Sequence, residues 1–123
     1  MLSDVNAITD AVSGILITAV LPEADIHRLI EQSFIERGIA YKHEAALGHG
    51  RRVDFLVGRT AVEIKQGAPA PRLVTQQIAG YLSSDLVDEI VVITRRKIRL
   101  SAQIGGKQVF ILTLDRLWGV SLP

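Results

Sequence analysis

Arg51-Arg52-Val53-Asp54-Phe55-Leu56-Val57-Gly58-Arg59-Thr60-Ala61-Val62-Glu63-Ile64-Lys65-Gln66 is the stretch on which the fold turns. It reads as two short strands joined by the two-residue loop Gly58-Arg59. Glycine at the first central position is the mark of a type II′ hairpin turn. If Val57 and Thr60 close that turn, Asp54 comes opposite Glu63. Side chains alternate along a strand, so Asp54, Glu63 and Lys65 emerge on one face. Opposed residues have Cβ atoms roughly 4.5–5.5 Å apart, and like charges at that spacing repel. A cation or a proton is needed to compensate them. Two hard oxygen ligands so placed suit Mg²⁺ or Mn²⁺, which take one or two carboxylates plus water and substrate phosphate. Lys65, diagonal to Asp54, brings a point charge able to steady a phosphate or a metal-bound hydroxide.

The competing reading is a surface hairpin with a cross-strand Asp–Lys or Glu–Lys pair. The flanks argue against it. Val53, Phe55, Val57, Val62 and Ile64 are apolar on the opposite face, and Leu56 and Ala61 add apolar character to the charged face. A hairpin apolar on both faces belongs inside a sheet, which places its charges in a cleft.

Working outward, 123 residues make one domain (1–123) able to bury about two-thirds of its unfolded surface. Apolar residues are 48% and charged residues 22%, a composition of folded globular chains and not of disordered ones. With no cysteine there are no disulfides or thiolate metal sites, and the expected location is cytoplasmic. The formal charge of +1 is unevenly spread. Residues 1–38 hold six acids against two bases, whereas residues 39–123 hold twelve bases against seven acids. A modestly basic surface around a carboxylate site suits a polyanionic ligand. Gly14–Leu21 is too short to span a bilayer and lacks the basic flank of a signal peptide, so no membrane association is expected.

Residues 4 to about 20 read as a helix, with Val5, Ile8, Val12, Ile15, Leu16 and Ala19 at helical spacing and Ser3 or Asp4 as its cap. With residues 1–21 it forms an N-terminal helical extension that packs on the domain or on a second copy. Leu21-Pro22-Glu23 starts a second, amphipathic helix over 23–37 that Gly38 ends. Glu23, His27 and Glu31 share one stripe of it. They read either as a solvated edge or as the source of a carboxylate for the Asp54–Glu63 face. The helix dipole favours Glu23 for that role, with Glu31 in reserve. Ile39–Leu47 is strand-like. Its Glu44 either extends the acidic site or pairs with Lys42, Arg51 or Arg52. A helix follows near Arg72–Ser84, where Gln77 and Tyr81 share a face. Ile90–Thr94 is a continuous apolar run with β-branched residues, an interior strand joined in parallel through that helix. Arg95, Arg96, Lys97 and Arg99 come at its end, where they are solvated or grip a phosphate backbone. Val109–Leu114 is a last strand, and Trp118 reads as core or interface.

In the order of these elements and residues the chain resembles the PD-(D/E)XK nuclease superfamily, and its RecB-like and Holliday-junction-resolvase-like small members in particular. The residues that carry the resemblance are Asp54 in Arg-Val-Asp-Phe, Glu63-Ile64-Lys65, Gln77 with Tyr81 as a Gln-x-x-x-Tyr element, and more weakly Glu23. It covers about residues 22–114. No proline precedes Asp54, a departure from the family pattern. The resemblance implies an α/β, restriction-endonuclease-like core: a central mixed β-sheet flanked by helices in the order α-α-β-β-β-α-β-β. It implies catalytic roles for Asp54, Glu63, Lys65 and Gln77. It also implies Mg²⁺ or Mn²⁺ held by Asp54, Glu63, the Ile64 carbonyl and the acid Glu23. The activity implied is phosphodiester hydrolysis, on DNA sooner than RNA, with a homodimer as a further expectation.

Overall fold

A computed structural model describes residues 3–13, 15, 23–65, 67 and 70–114, with only the backbone at Glu23. The elements are α1 (Asp4–Ser13), α2 (Glu23–Glu36), β1 (Lys42–Gly48), β2 (Arg51–Val57), β3 (Thr60–Lys65), α3 (Pro71–Leu82), β4 (Glu89–Thr94), β5 (Gln103–Ile104) and β6 (Lys107–Thr113). The chain is an α/β protein with one six-stranded mixed sheet in the order β1-β2-β3-β4-β6-β5. β1, β2 and β3 form an antiparallel meander; β3, β4 and β6 run parallel; β5 returns antiparallel on β6. The expected order lacked β5, a two-residue strand made when Gly105 and Gly106, both in the left-handed region, fold Gln103 and Ile104 back onto Lys107 and Gln108. So short a strand carries no hydrophobic period to betray it.

The hairpin turns as its sequence demands. Val57 faces Thr60 across Gly58-Arg59, and Gly58 alone of the two loop residues has positive φ, at 60°. A side chain there meets the backbone penalty of the left-handed region and also the Asp4 carboxylate, which lies where a Cβ would go. Gly58→Ala is expected to cost about 1–2 kcal/mol in urea unfolding. An unchanged midpoint would mean that the turn is not under this constraint.

Every residue of β3 from Thr60 to Ile64 is buried, and β4 is buried from Ile90 to Thr94. These central strands are covered on both faces, which explains their unbroken apolar runs. On one face Phe55, Val57, Val62, Ile64, Val91 and Ile93 pack with Ile8 and Val12 of α1 and Ile26, Ile30 and Phe34 of α2. On the other, Val53, Leu56, Ala61, Ile90 and Val92 pack with Val74, Ile78, Tyr81 and Leu82 of α3. β1 is the edge, and its first three residues are exposed.

The first helix packs on the domain itself. Ile8, Ala11 and Val12 are fully buried, and the Ser33 hydroxyl donates to the Ala11 carbonyl at 2.8 Å, fastening α1 to α2. Ser3 is its cap, accepting from the Asn6 N–H at 3.1 Å. The described helix stops at Ser13; the expected continuation toward residue 20, like Trp118, lies outside the described residues. At the end of α2 the Ile39 N–H reaches back to the Phe34 carbonyl while Gly38 takes a φ of 70°, the helix stop anticipated there. Pro71 opens α3, where a missing N–H costs nothing. Among the described residues no helix is long and apolar enough to cross a membrane.

Candidate active site

Asp54, Glu63 and Lys65 meet at the carboxyl end of β3, beside the start of β2. The backbone ladder between these strands runs from Val57↔Thr60 only to Phe55↔Val62. Beyond it the carboxylates take over as acceptors. The Asp54 N–H donates to Glu63 Oε1 at 3.1 Å, and the Ile64 N–H donates to Asp54 Oδ2 at 2.7 Å. The simple cross-strand pair expected of Asp54 and Glu63 is therefore a crossed one. Each acid accepts from the other strand's backbone, and this draws both side chains into the gap where the strands part.

α3 closes the site from above. Lys65 lies 3.3 Å from Glu63 Oε2 and donates to Gln77 Oε1. Gln77 Nε2 donates to the Tyr81 oxygen at 2.8 Å, and the Tyr81 hydroxyl donates to Glu63 Oε2 at 3.1 Å. The four side chains form a ring of donors and acceptors. An ammonium has no acceptor to offer, so the Gln77 amide must turn its oxygen to Lys65 and its NH₂ to Tyr81. The i, i+4 spacing of Gln77 and Tyr81 puts both within reach of the sheet face that carries Glu63 and Lys65.

Glu63 is 5% exposed. Burial, followed by the nearby charge of Asp54, pushes its carboxyl up to about 7; Lys65, the Asp54 N–H and the Tyr81 hydroxyl pull the other way without offsetting that rise. Tyr81 is itself raised, first by burial and then by the charge of Glu63, so it remains a donor.

Among the described side chains of α2, the one that reaches Asp54 is a histidine. His27 Nε2 lies 3.7 Å from Asp54 Oδ2, and its ring is 6.0 Å from Phe55 and 6.3 Å from His43, which stacks on Phe55 at 5.0 Å. His27 shares a stripe with Glu23 and Glu31, and that stripe is the sequence signal for it, with the imidazole lying between the two carboxylates. Glu31 is committed elsewhere, accepting from the Tyr41 hydroxyl at 2.7 Å. The side chain of Glu23 lies outside the described residues. Glu44 stands in the β1 register position facing Asp54, but its φ is 49° and its side chain is exposed. Its neighbour across 4.0 Å is His43, and Arg52 donates to its backbone carbonyl. Among the described residues its carboxylate neither joins the acidic pair nor makes the anticipated bridge to Lys42, Arg51 or Arg52.

No group of three or more His, Cys, Asp or Glu side chains set to hold a metal ion occurs among the described residues. The donor set is two carboxylates that repel each other. That is the complement of a hard, mostly hydrated divalent cation completing its shell with water and phosphate, and it is unlike the three or four protein ligands of a zinc site. Ile64 contributes an N–H toward Asp54 in this arrangement.

No protein-family model, no curated protein and no solved structure matches the chain.

Proposed function

We propose that the chain is a Mg²⁺- or Mn²⁺-dependent nuclease of the PD-(D/E)XK type that hydrolyses phosphodiester bonds, in DNA before RNA, and that its core is the restriction-endonuclease-like fold. The observation that carries the reading is the gathering of Asp54, Glu63 and Lys65 at one strand end, with Gln77 and Tyr81 holding the lysine and the glutamate in place. Asp54 and Glu63 would hold the cation, which supplies Lewis-acid stabilisation of phosphate charge. Lys65 directs its ammonium to the attacked phosphate or to the attacking water. Gln77 positions Lys65 by accepting from it. Tyr81 keeps one oxygen of Glu63 occupied and so fixes the rotation of that carboxylate. His27 flanks Asp54 from the stripe of α2 that also carries Glu23 and Glu31.

A second reading, a nuclease-like DNA-binding module without turnover, draws on the same ring. Both oxygens of Glu63 already accept from protein donors, so a cation has to compete for them. Cleavage of plasmid, single-stranded and branched DNA separates the two. The nuclease reading expects products with Mg²⁺ or Mn²⁺, none in EDTA, and loss of turnover by at least 10²-fold in Asp54→Asn. Binding without products under both ions would establish the module instead.

A further inference from the structure

The sheet sorts its charges by edge. β3, β4 and β6 are parallel, so their carboxyl ends lie along one rim, with Lys65 beside Thr94 and Thr94 beside Thr113. In sheets of this kind ligands lie outside the carboxyl ends of the strands. The chain leaves β4 at that rim as Arg95-Arg96-Lys97-Ile98-Arg99, and the Arg95 N–H donates back to the Lys65 carbonyl at 3.4 Å. This segment therefore begins one strand spacing, about 4.8 Å, from the catalytic lysine. Ile98 and Leu100 dock on the α3-side core, which pins the segment, while Arg96, Lys97 and Arg99 remain exposed. Among the described residues none of those three is paired with a carboxylate. The opposite rim differs: Arg59 is bound by Asp88, and Lys107 is spent on the Ser84 and Val87 carbonyls. Between the segment and α3 lies an open groove of about 490 Å³ lined by Thr75, Ile98, Arg99, Leu100, Ser101 and Ile111.

We infer that Arg96, Lys97 and Arg99 form a fixed track for the phosphate backbone of DNA running away from the Glu63–Lys65 site along the α3 side. The inference rests on the nuclease reading for the direction of the strand, and on geometry for the track itself. Anchored cations without partners incur little cost in losing internal pairs and release counterions when they meet phosphates. They carry no base-reading geometry, so the contacts are independent of sequence.

The test is binding of a fluorescent 20-base-pair duplex, and of one of its strands, in EDTA across a salt series. Wild type is compared with Arg96→Ala/Lys97→Ala/Arg99→Ala and with the control Arg37→Ala/Lys42→Ala. Circular dichroism melts check folding, and the single substitution Arg96→Glu serves if the triple variant fails to fold. The track predicts at least a tenfold loss of duplex affinity in the triple variant. The slope of log K against log salt should fall in magnitude by roughly 2–3, while the control changes less than twofold. Unchanged affinity and slope, or no DNA binding by wild type, would overturn the track. Cleavage in Mg²⁺ is read in parallel. Cleaving wild type with an unaltered triple variant removes the track and leaves the nuclease; track-dependent binding without cleavage does the reverse.

Discussion

On the proposed nuclease reading, Lys65→Ala is expected to slow DNA cleavage by about 10²–10³-fold at saturating substrate while DNA binding and a cooperative melt are retained. Lys65 bridges the sheet and α3 sides of the site, 3.3 Å from Glu63 Oε2 and hydrogen-bonded to Gln77. Its ammonium is held before substrate arrives, so it meets developing phosphate charge with little reorganisation. The loss is expected in kcat, since a preorganised charge of this kind acts on the transition state more than on bound substrate. A structural role makes a different forecast. If Lys65 serves only to neutralise Glu63, Lys65→Ala changes the stability and metal affinity of the site, and saturating Mg²⁺ restores kcat. If it acts on the phosphate, kcat stays low at every metal concentration. Tyr81→Phe sharpens the distinction, because it removes a hydrogen bond to Glu63 and leaves the ammonium in place. Full activity of Lys65→Ala would take this residue out of the mechanism.

Much of this arrangement is legible in the chain because two periods coincide there. The alternation of β3, and of β2 from Phe55 to Val57, fixes which side chains share a face. It breaks at Val53, which packs with the α3-side core and not with Phe55 and Val57 as expected. The four-residue spacing of Gln77 and Tyr81 fixes which helix face meets the site. Gly58 sets the register, so the residues that approach each other follow from counting. What counting does not supply is the end of the ladder. Nothing in the residues announces that pairing stops at Phe55↔Val62 and that Asp54 and Glu63 exchange acceptors with the opposite backbone. That outcome depends on how far the twisted strands diverge, a property of the whole sheet. The helix contribution is illegible for a related reason. Glu23, His27 and Glu31 share a stripe, and the choice among them turns on the height at which α2 crosses Phe55, set by the packing of Ile26, Ile30 and Phe34. Tyr41 then claims Glu31, a contact ten residues away along the chain that no local pattern encodes. Glu44 stays within β1, but its backbone is left-handed at φ 49°, a conformation that glutamate seldom signals, and its side chain is exposed.

In EDTA, Glu63 is expected to contribute on the order of 3 kcal/mol of stability that is present below about pH 4.5 and lost as pH rises to about 7. The direction follows from linkage. Folding raises the carboxyl from its usual 4.5 to about 7, so the native state binds the proton more tightly than the unfolded chain does. The stabilisation is whole below 4.5 and is lost as pH rises through 7, where the native glutamate must ionise inside the protein. Burial is the main cause and the charge of Asp54 the second, so two substitutions dissect it. Glu63→Gln removes the titration and flattens the difference between pH 5 and pH 7.5 in urea unfolding. Asp54→Asn leaves burial intact and narrows the window by removing the repulsion. A divalent cation bound by the two acids makes the opposite contribution. It favours their ionised forms, and by mass action it stabilises the native state at neutral pH by an amount that grows with its concentration above Kd. Millimolar Mg²⁺ or Mn²⁺ is therefore expected to restore the stability lost at pH 7.5 in wild type and to do little for Glu63→Gln. An equal pH dependence in wild type and Glu63→Gln would assign the transition to other groups. A wild-type window that neither ion closes would leave the acidic pair without the cation on which the proposed hydrolysis depends.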